Sequence, residues 1–183
     1  GILRSAAMNW PEDPRIWRAV AREAFSRGEH AAAAEAFKRA LVHAPEDVLT
    51  LTPLAAALGY LGAFDEVETI VRVALSLRPD HRVGWSMLAD TLQRQGRHDE
   101  AEKAYLRADR LAPHAASVAH NRARNAMAAG RVDDARRDFQ AAIDRDPLLK
   151  ASWLDLALLE LDAGRLDAAR ALVDTGLRVD PEA

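Results

Sequence analysis

Six histidines, His30, His43, His81, His98, His114 and His120, are the side chains best suited to bind a metal or move a proton. Their spacing does not serve a metal. Two ligands on one helix face stand three or four residues apart, whereas the nearest pair, His114 and His120, stands six apart across an expected turn. His30, His81 and His98 also fall in expected turns, where a polar ring at the surface is the expected role. Carboxylates come in adjacent pairs, Asp65-Glu66, Asp99-Glu100 and Asp133-Asp134, each three residues after a glycine. That position suits the start of a helix, whose N-terminal end favours negative charge. The chain has no cysteine, hence no disulfide, thiol nucleophile or thiolate ligand. Its glycines stand singly, with no phosphate-binding loop and no G-x-S-x-G turn. The expectation is a protein that is not an enzyme and uses no cofactor or metal.

The totals exclude other classes. A net charge of −3 over 183 residues supplies no basic face for nucleic acid. No apolar run approaches the roughly 18 residues that span a bilayer. The opening Gly1-Ile2-Leu3-Arg4-Ser5 is too short and mixed for a signal peptide. Cytoplasm and periplasm both remain open as locations.

The elements that position these residues follow from a repeat. Pro45, Pro79, Pro113, Pro147 and Pro181 are each 34 residues apart, as are Gly28, Gly62, Gly96, Gly130 and Gly164. Ala40, Ala74, Ala108 and Ala142 keep the same step, with Gly176 as fifth member. So do Phe37, Val71, Tyr105, Phe139 and Val173, and Trp17, Leu51, Trp85 and Trp153, with Ala119 in the remaining place. One unit, 82–115, reads as helix, glycine turn, helix, proline turn. Trp85, Leu88, Ala89 and Leu92 form one apolar stripe. Gly96 closes that helix in the left-handed conformation, and His98 or Asp99 begins the next. Ala101, Tyr105 and Ala108 face inward, and Pro113 ends the unit. One hairpin cannot bury its apolar face alone; stacked hairpins can.

These columns resemble the tetratricopeptide signature, W-x2-L-G-x2-Y, then A-x3-F, then A and P. Trp17, Gly28, Ala33, Phe37, Ala40 and Pro45 carry it in the first unit, and Trp85, Leu88, Ala89, Gly96, Ala101, Tyr105, Ala108 and Pro113 in the third. The resemblance implies an all-α, right-handed solenoid of five tandem helix-turn-helix repeats, 14–47, 48–81, 82–115, 116–149 and 150–183. Residues 1–13 read as the partial second helix of a preceding repeat, since Leu3, Ala6 and Pro11 align with Phe37, Ala40 and Pro45; an unrelated extension is the other reading. The segment then belongs to a longer array, and uncapped solenoid ends would permit self-association.

In this family the first helices line a concave face that binds protein or peptide. Carried over, the lining is Arg15, Arg18, Arg22 and Phe25, then Leu49, Thr52, Ala56 and Tyr60, then Val83, Ser86, Met87, Asp90 and Arg94. It continues with Ser117, His120, Asn121, Arg124 and Met127, and ends with Leu154, Asp155, Leu158 and Asp162. The arginines at one end and aspartates at the other suit a partner with an acidic end. The clamp by which some members grip chaperone C-termini is not matched, because Pro53 and Met87 occupy its later places. The leading function is a non-catalytic scaffold. The alternatives are a recognition arm of a larger transferase or hydroxylase, and a structural spacer in an envelope export assembly.

Four departures stand out. Pro53 predicts a shortened or kinked helix around 48–54, with Thr52 as cap. Arg122 enters the leucine column, marking either a weaker interface or a specific polar contact. Glu160 replaces the usual aromatic, with Leu159 and Leu161 expected to take over its packing. Gly176 stands where alanine is the rule.

Overall fold

The computed structural model describes the backbone of residues 2–179 and the side chains of 5–179. The expectations for Pro181 and for the Leu3 side chain lie outside these residues. Eleven helices and no strands occur among the described residues: α1 (Ile2–Asn9), α2 (Pro14–Ser26), α3 (His30–His43), α4 (Val48–Tyr60), α5 (Phe64–Leu77), α6 (Arg82–Arg94), α7 (His98–Leu111), α8 (Ala116–Ala128), α9 (Val132–Arg145), α10 (Lys150–Asp162) and α11 (Leu166–Val179). From α2 onward first helices have 13 residues and second helices 14, and corresponding starts step by 34. The chain forms two compact units, residues 1–95 and 96–183.

Local chemistry sets the period. Gly28, Gly62, Gly96, Gly130 and Gly164 all have φ between 73° and 76°, the left-handed region that closes a helix cheaply only for glycine. Behind them the Glu29, Ala63, Arg131 and Arg165 N–H groups donate to Ala24, Leu58, Ala126 and Glu160 carbonyls, capping the first helices. At the other end of each unit, Ala44, Arg78, Ala112 and Asp146 are pushed out of helical ψ by the proline that follows.

In the first unit the core runs through Phe37, Leu54, Val67 and Val71, all at most 2% exposed. Alanines 33, 40, 55 and 57 are fully buried and let the helix backbones approach. In the second, Phe139, Ile143, Leu156 and Leu159 form the centre, with Trp153 and Leu172 packed against it. Tyr105 and Ala108 are fully buried as the stripe requires. Val173 differs from its column: it is 46% exposed, because α11 packs on α10 and presents this side outward. At Gly176 an added Cβ would lie 3.3 Å from the Trp153 ring.

Two expectations are corrected. Helix α4 is neither late nor short; it starts at Val48 and runs through Pro53. Asp47 rather than Thr52 is its cap, accepting from Leu49 N–H at 3.0 Å and from the Thr50 hydroxyl at 2.6 Å. The helix is thus nucleated five residues before the proline, which removes only the bond to the Leu49 carbonyl. In α10, Leu159 is buried but Leu161 is 47% exposed, so it does not pack for Glu160. Glu160 is itself buried and ion-paired to Arg165 and to Arg136, the latter at 2.6 Å. The Arg165 bond, then that of Arg136, lowers its pKa against the effect of burial.

Candidate functional site

Helices α2, α4 and α6 bring Arg18, Arg22, Phe25, Tyr60, Met87, Asp90 and Arg94 to two hollows in the first unit. The first, about 460 Å³, is lined by Arg18, Arg22, Phe25, Leu49 and Pro53 among others. The second, about 300 Å³, includes Ala56, Gly59, Tyr60, Phe64, Met87, Asp90 and Arg94 in its lining. Between them stand three rings. His30 stacks on Tyr60 with centroids 4.2 Å apart and planes 5° apart, and Phe25 meets both edge-on at 5.1 and 5.7 Å.

The arginine cluster is less free than its sequence suggests. Arg18 Nη1 donates to Asp47 Oδ2 at 2.7 Å, and so braces the cap of α4. Arg15 Nη2 lies 2.7 Å from Asp13, the cap of α2, and with the backbone bond from Arg15 it holds the Asp13 carboxyl down at about 2. Arg22 is exposed and forms no ion pair among the described residues. It is the cation of the three left for a partner.

Histidines read as surface turn residues are inter-helix contacts. His81 Nε2 is 3.0 Å from the Thr52 hydroxyl, and burial, then Arg78, lowers the pKa of this ring. His98 Nδ1 is 3.0 Å from Asn125 Oδ1, while Asn125 Nδ2 donates to the His98 carbonyl at 3.0 Å. Asn125 is fully buried and did not announce itself in the sequence, where its column holds Glu23, Ala57, Thr91 and Leu159.

In the second unit α8 and α10 carry the remaining candidates. Arg124, Leu154 and Leu158 are exposed, and Asn121 and Asp155 are half-buried. His120 is not a surface group: it is 8% exposed, packs on Phe139, and places Nδ1 3.1 Å from Ser152 Oγ and Nε2 3.7 Å from Asp155 Oδ2. Burial lowers its pKa, with Asp155 opposing. Hydroxyl, imidazole and carboxylate in this order resemble a nucleophile relay. Ser152, however, is fully buried, so no substrate carbonyl can reach its oxygen. The trio joins two helices.

Arg122 resolves into a polar contact. Its guanidinium donates through Nε to Asp138 Oδ2 at 2.7 Å and through Nη2 to Oδ1. Glu102 and Asp109 lie 3.9 and 3.6 Å away.

Among the described residues, no group of three or more side chains is arranged to hold a metal ion, and no helix is long and apolar enough to cross a membrane.

A family model described as tetratricopeptide repeat matches residues 2–48 and 120–183, and a second of that description matches 84–114. No curated protein matches the chain at the sequence level. Several solved structures match its fold. Residues 41 to the end of MamA from Desulfovibrio magneticus RS-1 are 18% identical with a TM-score of 0.82, covering 92% of this chain and 95% of that one. PilW, a type IV pilus biogenesis factor, is 21% identical with a TM-score of 0.86, covering 99% and 84%. YrrB, described as a repeat protein with an unusual peptide-binding site, is 16% identical with a TM-score of 0.73, covering 100% and 94%.

Proposed function

The chain belongs to the tetratricopeptide-repeat family, and from that membership we propose that it is a non-catalytic scaffold holding a protein or peptide segment on its first helices. The observation that carries this reading is the pair of adjoining hollows in the first unit. Their floors are apolar, from Phe25, Leu49 and Pro53 to Ala56 and Met87, and Arg22 and Arg94 are exposed at their edges. Apolar pockets with a few cations at the rim suit an extended segment that buries alternate side chains and carries an acidic residue. The peptide-binding site in the description of YrrB accords with it. The exposed Leu154 and Leu158, beside Asp155, offer a second apolar surface in the other unit.

Selection of random twelve-residue peptides on the whole chain, followed by calorimetry, tests the proposal. Selected peptides are expected to contain an acidic residue and to bind Arg22→Glu at least about tenfold more weakly, since a close like-charge contact replaces an attraction. Arg22 forms no ion pair among the described residues, so the thermal midpoint is expected to hold. Equal binding to both proteins would move the site to another surface. The absence of any selected peptide would count against the scaffold reading itself.

A further inference from the structure

The three-ring cluster recurs one repeat later with one member missing. Thirty-four residues after Phe25, His30 and Tyr60 stand Gly59, Phe64 and Arg94. Arg94 takes the place of Tyr60, and its guanidinium lies 5.6 Å from the Phe64 ring centroid. Gly59 takes the place of Phe25 and leaves it empty. A Cβ built on Gly59 would meet no atom within 4 Å. The backbone does not require glycine there, since Gly59 is inside α4 and its φ is not positive. The other members of its column are Phe25, Gln93, Met127 and Leu161, so a large side chain is the rule. The empty place opens into the hollow of about 300 Å³.

We infer that this hollow is an anchor subsite for an aromatic side chain of a bound peptide. The inference rests on the peptide-binding reading and names what the groove selects. The partner's ring takes the volume that Phe25 fills one repeat earlier. The chain therefore carries its own template for the ligand: Phe25 meets two flat groups edge-on at 5.1 and 5.7 Å, and Phe64 and Arg94 are the corresponding flat groups at the vacant position. An aromatic ring gains from both, through the edge-to-face contact and the guanidinium. The Met87 thioether, also lining the hollow, adapts its shape to the ring. Space is sufficient, because a cavity of about 150 Å³ already holds benzene. Asp90 on the same lining disfavours a carboxylate inside the hollow, so the acidic residue of the ligand belongs outside it, towards Arg22 or Arg94.

The three methionines, Met8, Met87 and Met127, provide the readout, since only Met87 lines this hollow. Methyl-labelled methionine spectra of the whole chain are recorded during titration with N-acetyl-phenylalaninamide and with N-acetyl-leucinamide. The Met87 signal is expected to shift saturably with the first and about threefold to tenfold more weakly with the second, the size of an aromatic-pair preference. Met127 is expected to stay still. Gly59→Ala leaves the hollow open and is expected to keep the response; Gly59→Phe fills it from within and is expected to abolish it. A folded Gly59→Phe that keeps the response, or no Met87 shift in the wild type, overturns the subsite. If Gly59→Phe does not melt cooperatively, Phe64→Leu decides: loss of the preference for phenyl over leucyl supports the subsite, and an unchanged preference overturns it. Selected peptides without an aromatic residue that bind Gly59→Phe as well as wild type would sink the subsite and leave the scaffold standing. A specific Met87 shift with no selected peptide would do the reverse.

Discussion

Asp138 is 3% exposed, and Arg122 reaches it with two donors from the facing helix. The pair occupies two apolar columns at once: Arg122 stands with Val20, Leu54, Leu88 and Leu156, and Asp138 with Ala36, Ile70, Ala104 and Leu172. The arginine alone is ambiguous in the sequence; the complementary exchange sixteen residues later is the signal that resolves it. The two ends of the pair are not equivalent. Removing Asp138 leaves Arg122 with Glu102 and Asp109 nearby, whereas removing Arg122 strands a buried carboxylate and also uncovers Glu102, whose pKa burial already raises against the pull of Arg122. Arg122→Leu is therefore expected to destabilise by about 3 kcal/mol or more, and Asp138→Ala by less. The double replacement, which restores the column residues, is expected to lie within about 1 kcal/mol of wild type. Urea unfolding of the three variants checks this, and additive losses in the double variant would show that the pair is not a unit.

At the scale of the helix, Pro53 is the informative residue. It is the sixth residue of α4, beyond the first turn where proline is harmless, so the helix lacks one internal hydrogen bond. What holds α4 is its start and its buried face: the Asp47 cap braced by Arg18, and Leu51, Leu54, Ala55, Ala57 and Leu58, each at most 5% exposed. Pro53→Ala is expected to stabilise the chain by about 1 to 3 kcal/mol, raising the thermal midpoint by several degrees. A lower midpoint would mean that the ring's contacts outweigh the lost bond. Helix positions were legible in the sequence because glycine and proline punctuate every unit with the same two backbone requirements. Pairings between helices were not. Periodicity assigns a residue to a column but does not tell which atom of a neighbouring helix it meets, so the sequence does not distinguish His81, which meets Thr52, or His98, which meets Asn125, from turn histidines at the surface. One recurrent contact could have been read: Trp17, Trp85 and Trp153 each donate Nε1–H to the proline carbonyl six residues earlier, at 2.7 to 2.9 Å. At the candidate site periodicity picked out positions off the repeat's apolar stripe, but it showed neither that His120 is buried against Phe139 nor that the two capping aspartates pair with Arg15 and Arg18.

At the scale of the whole molecule, each of the two units carries an apolar surface that is exposed among the described residues. Leu166, Val173 and Leu177 on α11 are 65%, 46% and 50% exposed, and a hollow of about 310 Å³ beside Trp153 and Gly176 opens next to the last two. In the other unit, α1, α2 and α3 line a hollow of about 490 Å³ through Ala7, Met8, Trp17, Val20 and Ala24. Both surfaces are apolar and shaped by repeat packing, so we propose that copies of this chain associate through them. The average mass in sedimentation is then expected to rise with concentration, and Leu177→Lys to return it towards the monomer, because a charge on a buried interface lacks a partner. The form of the rise identifies the contact. Two α11 faces meeting each other are related by a two-fold axis and stop at a dimer, whereas α11 meeting the α1 hollow of another copy leaves free surfaces at both ends and continues to grow. A mass that stays monomeric at every concentration, or one that Leu177→Lys leaves unchanged, would remove α11 as the interface.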